Sequence, residues 1–373
     1  MGLIPRQAPK ESLAFSSPMA SRSGNPLQLA GRKTKSDRIA LKLDHFAIMR
    51  LLTAVLLVLA ACSLSEEEED RLAAHLQRAQ VYFDTGDFLR AQQQADLGLI
   101  LEPDNPTLNH IMGRSLLGMQ DIESVRKSGS FLKAAHKGLN SARTSYSLGE
   151  YRLRLAEFMI GRTNLLNAKA VDLPTEEASQ MVSRAARTKK NADTELELAR
   201  QLLETAVAEL PENPQSLRLL ANCCSHQKDE KRALEVLANL IDVMEKSRAY
   251  KNEKLALQQL SVTDESRLRR GVVADIEMEV HARGLVATIY MNGEDFQPAE
   301  LQLTAILNLN PSVDSEYYNR GLCRYQLGRL GEAASDMRTF LGRTSLEFSS
   351  APVTRALTIV GEYEALQKAG SQP

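Results

Sequence analysis

Apolar residues recur at helical spacing through most of the chain, and short polar or glycine-containing breaks cut them into paired segments. The clearest stretch is Tyr317 to Leu341, YYNRGLCRYQLGRLGEAASDMRTFL. Gly321 and Ala333 stand twelve positions apart, Gly328 lies in the break between them, and the flanking faces are apolar. A three-to-four-residue apolar period on both sides of a break predicts two helices. Antiparallel helices joined by a short turn need small residues where the backbones come closest and large ones where the gap widens. Arg78 to Pro103 repeats this order, with Ala79, Tyr82 and Phe83 on a first helix, Gly86-Asp87-Phe88 at the turn, and Ala91 and Ala95 on a second. The closing half returns in LARQLLETAVAELPENP (Ala199, Ala206, Pro211) and in NGEDFQPAELQLTAILNLNP (Phe296, Ala299, Leu303, Pro311). Each proline stands just past a helix that it cannot continue.

Pro103, Pro211 and Pro311 are separated by 108 and 100 residues, each near three times a period of about 34. Weaker copies therefore belong between them. Pro214 to Leu240 is one, with Leu217, Leu220, Ala221, Ala233 and Leu237 at helical offsets, and Thr107 to Leu117, including Gly113, begins another. The register of that second copy fades near Ser128-Gly129-Ser130. These segments resemble the tetratricopeptide repeat (TPR) family. The resemblance implies an all-α fold, a TPR-like α-solenoid of stacked antiparallel helix pairs, preceded by an unstructured N-terminal leader. At that period residues 62–373 would supply roughly seven to nine pairs. Leu139 to Asn191 and Asp242 to Arg270 fit poorly and read as longer or irregular helices within the array, with breaks at Val171 to Pro174 and Ser261 to Asp264. Ala351 to Lys368 reads as a helix capping the open end, whose apolar face would otherwise meet water. The expected division is 71–141 and 271–345 for terminal TPR pairs, 142–270 for irregular and TPR-like pairs, and 346–373 for the cap and tail.

Composition agrees with helix: aromatic residues make up 5%, there is no Trp, and Leu, Ala, Arg, Glu and Gln abound. Net charge is −1, unevenly spread: residues 1–50 carry nine Lys/Arg against three Asp/Glu, and residues 63–373 carry 37 against 44. An acidic body without a basic stripe excludes nucleic acid as the expected partner. The basic front end leads, through Arg50, into Leu51 to Ala61, LLTAVLLVLAA. This run is too short for a bilayer span of about 20 residues and suits the h-region of a secretory signal. Leu59-Ala60-Ala61-Cys62 resembles the lipobox of bacterial lipoproteins. That resemblance implies acylation of Cys62, cleavage before it and, with Ser63 following, the periplasmic face of the outer membrane. Multiple acyl chains, at about 0.8 kcal/mol per buried methylene, anchor durably where one would not. On this reading residues 49–61 are the signal peptide, and residues 1–48 are a disordered leader or a misassigned start. Residues 62–70 are an acidic tether, in which Ser65 and Glu68 also fit a capping box.

Candidate chemistry changes little. Cys223, Cys224 and Cys323 read as small apolar residues at helix contacts. Metal binding at Cys223, Cys224 and His226 is the sharper alternative, but it lacks the paired spacings of a zinc site. Ser124 to Lys127 and Ser130 to Lys133 match an SxxK pattern without its companion motifs. The histidines share no ligand spacing. No catalytic residue, metal or cofactor is therefore expected.

By resemblance to the family, first helices line a concave groove that meets a peptide or protein partner. The matching positions are Tyr318, Tyr325 and Gln326 in the best repeat, and Gln80 and Phe83 in the first. Arg218 and Asn222 lie one turn apart where some family members clamp a peptide carboxylate. Tyr318 and Tyr325 have an equal alternative as packing between pairs. The functional expectation is a lipid-anchored periplasmic scaffold binding protein partners in envelope assembly or export. A cytosolic adaptor and, further off, a hydrolase on an α-solenoid are the other readings, and oligomeric state stays open.

Overall fold

A computed structural model of the chain describes residues 64–257 and 260–370; the leader, the h-region and Cys62 lie outside the described residues. Thirteen α-helices follow one another: α1 Glu66–Asp84, α2 Phe88–Leu101, α3 Pro106–Gly118, α4 Ile122–Leu139, α5 Ala142–Ala170, α6 Thr175–Glu209, α7 Pro214–His226. Then come α8 Glu230–Ala256, α9 Val262–Asn292, α10 Phe296–Leu309, α11 Asp314–Gln326, α12 Leu330–Leu341 and α13 Ala351–Gly370. Consecutive helices pack pairwise, each pair also touches the next, and the first helices of neighbouring pairs meet (α1 with α3, α3 with α5, α5 with α7). The result is an α-solenoid. Among the described residues it holds six pairs plus a last helix, fewer than the seven to nine expected. The reason is length: α5, α6, α8 and α9 run to 29, 35, 27 and 31 residues, so the three pairs that contain them take up residues 142–309, the sequence of about five. The boundary expected at residue 270 falls inside α9, which pairs with α10 as one unit.

Local chemistry sets the ends. Ser65 accepts from the Glu68 amide while the Glu68 carboxylate accepts from the Ser65 amide, so most of the acidic segment forms the first turn of α1. There the Glu side chains favour the positive end of the helix dipole. Asn105 and Asn213 cap α3 and α7 through their side chains, with Pro106 and Pro214 at the first helical positions.

Small residues let the paired helices close. A Cβ on Gly321 would lie 2.9 Å from the Met337 methyl, and one on Gly113 would lie 2.6 Å from the Leu132 side chain. The apolar core is a chain of clusters. Leu108, Ile111 and Ala91 seat α1–α3, and Leu117, Leu132 and Leu148 seat α3–α5. Leu196, Leu203, Leu220 and Leu237 fill the centre, while Met337, Phe340, Val353 and Ile359 join α12 to α13. Arginine–carboxylate contacts cross the gaps between elements. Arg320 and Arg324 of α11 reach Asp336 of α12, and Arg324 also donates to Glu300 of α10 at 2.9 Å. Burial alone would raise the Glu300 carboxyl, but Arg324 and Arg329 outweigh it and hold it below its usual range.

Candidate partner-binding groove

The candidate groove residues lie mainly on the first helices of the pairs. On α3, Arg114 hydrogen-bonds Glu150 of α5 and lies over the Tyr146 ring, 5.2 Å from its centroid. Arg154, one turn beyond Glu150, donates to Glu150 Oε1 at 2.7 Å and to the Leu117 carbonyl at 2.9 Å. Burial pushes Glu150 up, yet the two guanidiniums win and hold its carboxyl below the ordinary value. His110 of α3 meets Ser147 Oγ at 2.9 Å; burial, then the charges of Arg143 and Arg114, lower it to about 4. It is a neutral imidazole fixed between two helices.

The expected site residues divide into two groups. Arg218 and Asn222 stand half-buried on α7. Among the described residues Arg218 has only a long contact to Gln215, 3.4 Å, and no ion pair, and Asn222 has no side-chain hydrogen bond. The Arg218 charge reaches both Tyr146 of α5 and His281 of α9, which sets it between those helices. Arg143 of α5, exposed, is likewise without an ion pair among the described residues. Arg218 and Asn222 lie one turn apart on α7, and neither is committed to an ion pair among the described residues.

The aromatic candidates are engaged in packing. The Tyr318 ring meets Phe340 of α12 in a tilted contact at 5.1 Å, and Arg355 of α13 lies 4.9 Å from the centre of Tyr325. Phe83 packs on the first core cluster and meets Phe88 at 6.0 Å, and Gln80 donates to Asp84 at 2.7 Å. Gln326 is exposed at the end of α11. Arg143, Tyr146 and the α9 face were not singled out from sequence. The signal for the latter was present in Glu277, His281, Gly284 and Thr288, spaced by three and four on one side of a helix.

Cys223, Cys224 and Cys323 are buried; Cys223 contacts the Leu196 carbonyl through its sulfur at 3.2 Å, and burial raises its thiol to about 12. His226 turns outward to Glu157 at 3.4 Å, so these three side chains do not converge. No group of ligating side chains able to hold a metal occurs among the described residues, and no helix there is long and apolar enough to cross a membrane.

Residues 190–255, from α6 through nearly all of α8, match the family described as tetratricopeptide repeat. Over those residues the chain is similar to a tetratricopeptide repeat, and the helix pairs on either side stack in the same antiparallel manner. No curated protein matches it. Solved structures it resembles include YrrB, described as a TPR protein with an unusual peptide-binding site. Identity there is 11%, coverage 71% of this chain and 97% of that one, and the TM-score 0.44. Another is a tetratricopeptide repeat protein from Parabacteroides merdae, with 12% identity, 78% and 99% coverage and a TM-score of 0.35. The apo form of RapI gives 11%, 80% and 72%, and 0.46.

Proposed function

We propose that the chain is a lipid-anchored scaffold, held through Cys62 at the periplasmic face of the outer membrane, whose groove binds an extended segment of a partner in envelope assembly or export. The observation that carries the binding half is the free pair on α7. Arg218 and Asn222 are a cation and an amide one turn apart, neither spent on an ion pair among the described residues. Such a set suits an acidic group, either a chain-terminal carboxylate or an Asp/Glu side chain, because a guanidinium matches a carboxylate in two parallel hydrogen bonds. Arg114 and Arg154, by contrast, are used up, since they share Glu150. Their role is to fix the wall and not to act on a substrate. The anchoring half rests on the order of basic flank, apolar run, small residues and Cys62.

Two measurements test it. Crosslinking in cells followed by co-purification should recover a partner from wild type, and Arg218→Ala with Asn222→Ala should weaken its binding by tenfold or more, since each charged hydrogen bond contributes roughly 1.5–3 kcal/mol. Equal recovery by the double variant would remove the assigned site. Intact-mass analysis of the mature chain should show acylated Cys62 at its N-terminus. An unmodified chain in the soluble cytoplasm would leave the adaptor without its anchor.

A further inference from the structure

Between α9 and α11 lies a pocket of about 350 Å³, with Leu303 of α10 at its floor and Val280, Leu285 and Met291 among its walls. Two carboxylates, Glu277 of α9 and Glu316 of α11, line it. Neither meets a cation among the described residues. Glu277 has no hydrogen bond or ion pair, and Glu316 receives only Asn319 Nδ2 at 3.1 Å and Ser315 Oγ at 3.2 Å. The contrast with their surroundings is sharp. Glu279 of α9, Glu300 of α10 and Asp336 of α12 are each neutralised by arginines. His281, also in the lining, does not supply the missing charge, because burial and the nearby Arg218 lower it.

Gly284 supplies an independent observation. It sits inside the 31-residue helix α9, where glycine costs about 1 kcal/mol relative to alanine. No close packing requires it, since a Cβ there would meet nothing within 4 Å. What its bareness provides is room, because Gly284 itself lines the pocket.

We propose that this pocket receives a lysine or arginine side chain of the partner segment, its apolar stem against Val280, Leu285 and Met291 and its charged head at Glu277 and Glu316. Long basic side chains bury their methylenes and keep the head with its counter-charges. The inference rests on the groove reading and sharpens it: the segment would carry an acidic group at α7 and a basic residue at α9–α11.

The test is selection of random phage-displayed dodecapeptides on the full chain, followed by binding of synthetic copies. Selected peptides should fix Lys or Arg at one position. Changing that residue to Met should weaken binding about tenfold in wild type and leave binding to Glu277→Gln/Glu316→Gln unaffected. Gly284→Leu, which fills the space while favouring helix, should melt no lower than wild type and lose the same preference. Peptides that bind through Arg218 but show no basic position, or bind the three carboxylate and glycine changes undiminished, overturn the pocket while leaving the groove intact. Failure of wild type to select any peptide, or selection of peptides indifferent to Arg218→Ala, overturns both.

Discussion

The turns inside the helix pairs repeat one backbone device with different residues. Gly86 and Gly328 take φ values of 78° and 75°, and at the equivalent step of other pairs Gln120, Lys228 and Glu294 take 63°, 60° and 60°. Asp87, Asp121 and Asp229 follow such residues directly and cap the next helix through their carboxylates. The left-handed region costs a residue with a Cβ about 1–2 kcal/mol, whereas glycine gives back roughly half of that through its freer unfolded chain. Relief of strain is the larger of the two effects. Lys228→Gly and Glu294→Gly should each stabilise the fold by about 0.5 kcal/mol, and Gly328→Ala should destabilise it by about 1 kcal/mol. Urea titrations followed by circular dichroism measure all three. A loss of stability on Lys228→Gly would show that its side chain contributes more than the turn's strain removes.

Elements meet through buried polar contacts as well as apolar ones, and the α3–α5 contact has a pH signature. His110 has a folded-state value of about 4 against an ordinary 6.5. Its contribution is complete above the ordinary value, and it is lost as pH falls from there toward 4, because the unfolded chain binds the proton first. The lowered Glu150 carboxyl has the same sign but acts at lower pH, below the ordinary carboxylate value. Between pH 7 and 4.5 wild type should therefore lose on the order of 2–3 kcal/mol more than His110→Asn does. Thermal melts across that range check it, and parallel curves for the two proteins would refute the assignment. This contact also shows what the sequence made legible. Glycines and alanines at twelve-residue separation announced the close helix pairs, and prolines announced where second helices stop. Ser128-Gly129-Ser130, which reads as a fading register, instead lies inside α4. Gly129 is there because a Cβ would fall 2.4 Å from the Tyr151 ring, and Ser128 turns its hydroxyl back to the Val125 carbonyl at 2.7 Å. Local pattern does not reveal such demands, since they come from a neighbour more than twenty residues away. Arg218 and Asn222 stay free of ion pairs among the described residues, whereas Tyr318 and Tyr325, which carry the same sequence signal, meet Phe340 and Arg355.

Over residues 64–370 as a whole, apolar burial is divided among successive clusters, and each pair touches only its neighbours along the stack. Stability in such an array is close to a sum of unit and interface terms, so damage at one end need not travel to the other. The end of the stack allows a direct test. Phe340 is almost fully buried, meets Tyr318 in a tilted contact, and belongs with Met337, Val353 and Ile359 to the cluster beneath α13. Phe340→Ala should cost about 3–5 kcal/mol there, since it removes an aromatic side chain and leaves a cavity that helices on three sides fill only in part. The loss should appear in hydrogen exchange as faster opening of α11, α12 and α13, while amides of α1 to α4 keep their wild-type protection. α13 is the element most exposed to the change, because among the described residues it packs on α12 with a lighter contact to α11. If α1 to α4 instead open to the same extent, residues 64–370 unfold as one cooperative body. The long helices α5, α6, α8 and α9 would then be couplers that make the stack more rigid than its repeats alone require.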